Sequence, residues 1–153
     1  MKPSLARGIA AGAVALVLVV VNWNIAAKER IKTHGERILL ELAPVDPRSL
    51  MQGDYMALRF ALVRDITTEV AGSIPLSIDA NGVATMGSND DPKALRIRYR
   101  IRNRDVWLGT NAYFFEEGTA RRYEAARYGE FRVDRGTGEA VLTGLRDEKF
   151  QPL

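Results

Sequence analysis

The hydrophobic positions of this chain fall into two regimes. From Gly8 to Ala27 the sequence GIAAGAVALVLVVVNWNIAA runs twenty residues without a charge, bounded by Arg7 and Lys28. At about 1.5 Å per residue a helix of that length spans about 30 Å, the thickness of a bilayer's hydrocarbon. Beyond it the apolar positions become short and periodic. Lys28 to His34 continues the helix by about two turns and stops at Gly35, a helix-ending residue. Arg37 to Leu42 reads as a strand, closed by Pro44, Asp46 and Pro47. The turn-rich passage DPRSLMQGD leads to Tyr55 through Arg64, where Met56, Leu58, Phe60 and Leu62 share one face in the alternation of a half-buried strand.

Leu76-Ser77-Ile78 and Val83 to Met86 form a hairpin with Asn81-Gly82 at its tip, where positive φ is needed. Ser88 to Lys93 is a polar loop, followed by a long strand from Leu95 to Arg104. Ala120, Tyr123 and Ala126 give Thr119 to Arg127 a helical spacing. Tyr128 to Asp134 and Glu139 to Leu145 make a second hairpin around Arg135-Gly136-Thr137-Gly138. About seven strands against one short helix predict a membrane helix (1–34) followed by a mainly-β, α+β domain (35–153), a small antiparallel barrel or sandwich.

Composition narrows the chemistry. The 153 residues are 46% hydrophobic and 27% charged, which is globular and sufficient for one core. The absence of Cys removes disulfides, thiolate metal sites and cysteine nucleophiles. His34 is the only histidine, so a multi-histidine metal site is impossible, and Ser88-Asn89-Asp90-Asp91 lacks the alternating spacing of a calcium loop. No metal or cofactor is expected. All 19 acidic residues lie after Ala27 together with 20 of the 22 Lys and Arg, leaving that part with a formal charge of +1, which is no nucleic-acid profile.

Lys2 and Arg7 before the apolar run also suit a secretory signal, but cleavage after Ala26 or Ala27 would put Asn24 or Ile25 where a small residue is wanted. An uncleaved anchor is expected. Lys28, Arg30, Lys32 and Arg37 follow it, so positive charge alone does not orient it; a short head exporting a long domain favours a single-pass protein of the inner (cytoplasmic) membrane with a periplasmic carboxyl domain.

Period two places Arg96, Arg98, Arg100, Arg102 and Arg104 on one face of a strand and Ile97, Tyr99 and Ile101 on the other. That face suits anionic lipid or an envelope glycan, because guanidinium grips phosphate and carboxylate bidentately. The alternative is cross-strand pairing with Glu130, Asp134 and Glu139. Ser49 ahead of the Gly53-Asp54 turn, with Lys93 as a base, is similar to the signal-peptidase and repressor-cleaving serine proteases. That similarity lacks the Ser-Met-x-Pro order, and Lys93 lies in a Pro-flanked polar loop that offers no desolvation.

Gly53-Asp54-Tyr55-Met56-Ala57-Leu58-Arg59-Phe60 resembles the signature of the GDY-x-x-L-x-Y family of bacterial membrane-anchored proteins, with Phe60 in place of the final Tyr. The resemblance extends through Leu42 to Tyr55, including Asp46, Pro47 and Arg48, through Phe115 to Gly118, and through Arg127 to Val133. It implies a single anchor, a small exported domain and no established activity. It also implies a multi-spanning partner in the bilayer; the helix is expected to dock on it, with Asp46 to Asp54 and the Arg strand as the contact surface. The expected function is a non-enzymatic accessory or interaction protein of the bacterial envelope. An Arg-lined module for anionic lipid or glycan and a Ser-Lys hydrolase are the alternatives.

Overall fold

The computed structural model describes residues 3–43, 51–52, 55–64, 66, 70–102 and 105–153. Helix α1 (Pro3–His34) is continuous over 32 residues. It carries the uncharged run and continues into the β domain without a break. Its end is set by Gly35, whose amide donates to the Ile31 carbonyl at 2.8 Å. A Cβ at residue 35 would stand 2.4 Å from that oxygen, so a side chain there would force the turn open. Among the described residues, one helix is thus long and apolar enough to cross a membrane. Its apolar side chains, among them Val14, Leu16, Val19 and Ile25, are exposed, whereas Ile31, past the charged boundary, is buried at 5% where α1 packs on the domain.

Three antiparallel sheets form the domain. The first has the order β1 (Glu36–Glu41), β9 (Tyr128–Val133), β10 (Ala140–Arg146), with Ile38 opposite Phe131 and a bulge at Thr143. In the second, β3 (Tyr55–Ala57) lies between β2 (Met51–Gln52) and β8 (Ala112–Phe114). The third runs β5 (Ala84–Met86), β4 (Gly72–Ile78), β6 (Leu95–Arg102), β7 (Asp105–Trp107).

Backbone bonds join the sheets at their edges. The Leu39 amide donates to the Gly82 carbonyl at 2.8 Å, that of Ala43 to Arg59 at 2.7 Å, and that of Arg98 to Gly138 at 2.7 Å. The curved, partly closed wall surrounds one core in which Ile38, Leu40, Leu58, Phe60, Ile97 and Phe131 are fully buried. The α+β, mainly-β architecture behind an amino-terminal apolar helix is as the sequence predicts.

Several elements differ in extent. The strand expected from Tyr55 to Arg64 pairs only to Ala57, then gives way to a 3₁₀ turn at Ala61–Val63. The alternation still reads burial correctly, because Met56, Leu58 and Phe60 all face the core. Leu58 still donates to the Asn111 carbonyl at the edge of β8, and the backbone then leaves that edge as Phe60 bridges Leu42, just beyond the end of β1.

The helix expected from Thr119 to Arg127 is the single turn α2 (Ala120–Tyr123), with Tyr123 and Ala126 buried. A segment that short has too few internal hydrogen bonds to propagate, and packing alone holds it. At the hairpin tip only Gly82 has positive φ, at +85°, and Asp79 Oδ1 accepts from the Asn81 and Val83 amides at 2.8 Å each. The turn spans Asp79 to Gly82, as the sequence places it, with Gly82 alone carrying the left-handed conformation. There are ten strands among the described residues, because short segments at the sheet edges carry too few residues to show a period.

Candidate functional site

Strand β6 alternates as its sequence requires: Leu95, Ile97 and Tyr99 are buried and Arg98, Arg100 and Arg102 are exposed. Tertiary structure then divides the Arg row. Arg96 is held by neutral groups, donating from Nε to Ser73 Oγ at 3.0 Å, from Nη2 to the Ser73 carbonyl at 3.2 Å, and to Asn89 Oδ1. Arg98, Arg100 and Arg102 line a cleft of about 500 Å³ between β6, the start of β10 and α1, which contributes Lys28. Arg104 lies outside the described residues.

Among the described residues, the expected cross-strand pairing with acids is realised only at Glu139. Its carboxylate meets Lys28 Nζ at 2.9 Å and Arg100 Nη2 at 3.8 Å. Glu130 is taken instead by Arg146 Nε and, at 4.0 Å, by Arg37, within the first sheet. Asp134 caps its own turn, accepting from the Thr137 hydroxyl at 2.8 Å and the Thr137 amide at 2.7 Å. Those bonds, the hydroxyl's first, hold its carboxyl below the ordinary carboxylate range. The reason is placement, since β6 neighbours β4 and β7 and is separated from β9 by the turn ending at Gly138. Among the described residues Arg98 and Arg102 have no carboxylate within 4 Å; Arg102 stacks over the Trp107 ring at 5.4 Å.

Aromatic side chains complete the cleft. Trp107 and Tyr113 line it, and Phe114 stands on its rim at 75% exposed. Burial and a hydrogen bond with Tyr123 raise the Tyr113 phenol above its ordinary pKa, so it remains a neutral wall at physiological pH. Tyr55 of the Gly-Asp-Tyr motif pairs with Phe114 across β3 and β8, their rings 5.7 Å apart. Sequence reading did not find Lys28, Trp107 or Phe114. Lys28 was signalled as the first charge after the apolar run, whereas the two aromatics lie on three-residue strands without a period.

The other motif residues divide between core and undescribed chain. Leu58 and Phe60 are buried at 1% and 2%, so they position β3 by packing. Asp46, Pro47, Arg48, Ser49, Gly53 and Asp54 lie outside the described residues. Lys93 is exposed in a turn whose carbonyl accepts from Arg135 at 3.0 Å, and nothing there desolvates its amine. His34 Nδ1 stands 2.7 Å from the Thr33 hydroxyl at the exposed end of α1.

These features describe a small mainly-β domain continuous with an amino-terminal helix of membrane-spanning length. A family model described as "GDYXXLXY protein" matches residues 17–145, and the chain belongs to that family. Comparisons with curated proteins and with solved structures gave no match.

Proposed function

We propose that this protein is a single-pass, non-enzymatic accessory subunit of the bacterial envelope. Its helix docks on a multi-spanning partner of the inner membrane, and its β domain lies on the periplasmic side. The continuity of α1 carries this reading. One helix runs from a wholly exposed apolar span to a seat on the first sheet, with Ile31 buried and Lys28 bonded to Glu139. A partner that fixes the span would therefore fix the domain. Gly8 and Gly12 leave one side of the helix open for close approach of a second helix. A Ser49–Lys93 hydrolase would need a desolvated amine, and Lys93 is exposed.

The absence of native Cys makes the test direct. Single cysteines placed along Val14 to Val21 of the full chain, cross-linked in native membranes, should capture one multi-spanning protein. The reactive positions should repeat at a spacing of about three to four residues, the signature of one docked face. Cross-linking to no protein, or equal capture from all sides, would refute the docking. Full complementation of a deletion strain by a form lacking residues 1–27 would do the same.

A further inference from the structure

Among the described residues, the cleft between α1 and β6 carries positive charge that its one carboxylate does not balance. Lys28, Arg98, Arg100 and Arg102 face one acid among the described residues, Glu139, which is already engaged by Lys28 and Arg100. The cations left over, Arg98 and Arg102, are exposed guanidiniums that suit bidentate capture of phosphate.

Height identifies the source of that phosphate. Lys28 follows directly on Ala27, the last residue of the uncharged run, so its amine stands at the level of a leaflet's phosphates when that run spans the bilayer. The rim agrees, since Phe114 is largely exposed there and Trp107 lies beneath Arg102, aromatic groups of the kind that settle at the interface. Val141 and Leu142 give the cleft an apolar side suited to the glycerol and upper acyl chain of a lipid. A zwitterionic headgroup gains less, because its ammonium would have to compete with Lys28 for Glu139.

We propose that this cleft binds the phosphate of one anionic phospholipid, drawn sideways from the bilayer. Arg98 and Arg102 hold the phosphate oxygens, Glu139 fixes Lys28 and Arg100 around them, and Phe114 enters the interface. The Gly-Asp-Tyr motif then acts on this site through Tyr55, which supports Phe114. The site does not depend on the multi-spanning partner.

The test uses the purified full chain in bilayer discs of phosphatidylcholine containing a minority of phosphatidylglycerol, followed by native mass spectrometry. The unaltered chain should retain one phosphatidylglycerol in preference to phosphatidylcholine. R98Q/R102Q should lower that retained fraction by about tenfold, the scale of one lost charge-assisted contact pair. R121Q, an exposed Arg of α2 outside the cleft, should leave it unchanged. An unfolding midpoint of R98Q/R102Q close to the parent's in phosphatidylcholine alone shows that the variant folds.

No enrichment of phosphatidylglycerol by the unaltered chain overturns the proposal without recourse to any variant. Unchanged retention in a folded R98Q/R102Q overturns it too. Displacement of the lipid by an equal concentration of inorganic phosphate would mean that the cleft reads a soluble anion, and would overturn the lipid assignment.

Discussion

Replacement of Gly129 by Ala tests the packing that holds the motif strand in place. Gly129 lies on β9 opposite Leu40 and Leu145, and the last motif residue, Phe60, packs against it. An added Cβ would stand 3.0 Å from Phe60 Cε1, 3.2 Å from Phe131 Cε2 and 3.3 Å from Leu142 Cδ1. Carbon atoms are comfortable at about 3.5–4.0 Å, so the methyl overlaps three neighbours at once. Phe60 and Phe131 are fully buried and meet edge to face at 5.3 Å, so neither ring moves without disturbing the other.

Overpacking of this kind costs about 1–3 kcal/mol, and removing a strand glycine's excess freedom in the unfolded chain returns about 0.5–1 kcal/mol. The net expectation is a loss of about 1–2 kcal/mol, or roughly 4–8 °C in the unfolding midpoint of a domain this size. Thermal unfolding of the full chain in mild detergent, followed by near-ultraviolet circular dichroism, reads it. If the overlap is the cause, Phe60→Leu should cost less in the Gly129→Ala background than in the parent, with a coupling of at least about 0.5 kcal/mol. A midpoint at or above the parent's, or strictly additive effects, would refute the reasoning.

Ile31→Ala should cost about 2 kcal/mol, the low end for a buried aliphatic because it lies at the seam between helix and sheet. An unchanged unfolding midpoint would show that α1 is not seated there. Glu130→Gln should destabilise by about 1–2 kcal/mol, measured by chemical denaturation, because Arg146, mostly buried, would lose its charged partner and keep only neutral acceptors, an amide oxygen at that position and the Phe150 carbonyl at 2.7 Å. A loss below the error of that measurement would place the pair among ordinary surface bridges. Asp134 has a folded pKa below its ordinary value, so it contributes stability above that value and loses the contribution as pH falls through the folded one. The midpoint difference between the parent and Asp134→Ala should therefore be constant above about pH 5 and narrow in stronger acid; a difference independent of pH would exclude the charged cap.

How legible the candidate site was depends on the range over which each signal acts. The outward Arg row was readable because alternation is a property of one strand, and β6 obeys it. The partners of that row were not readable. Register and sheet order place Glu130 beside Arg146 and leave Arg98 and Arg102 facing a cleft. The motif was legible as a string, yet its division into a core pair, Leu58 and Phe60, and a rim residue, Tyr55, required the fold.

By itself the sequence determined the long uncharged helix, its stop at Gly35, the two hairpins and the core faces of β3 and β6. Each follows from local geometry: helix length, a missing side chain, turn stereochemistry and a period of two. Tertiary structure alone decided where strands end, which acids pair with which bases, and that Lys28 meets Glu139 far along the chain. Those outcomes depend on contacts between segments distant in sequence, whose free energies are set by burial and register and leave no periodic mark on either segment.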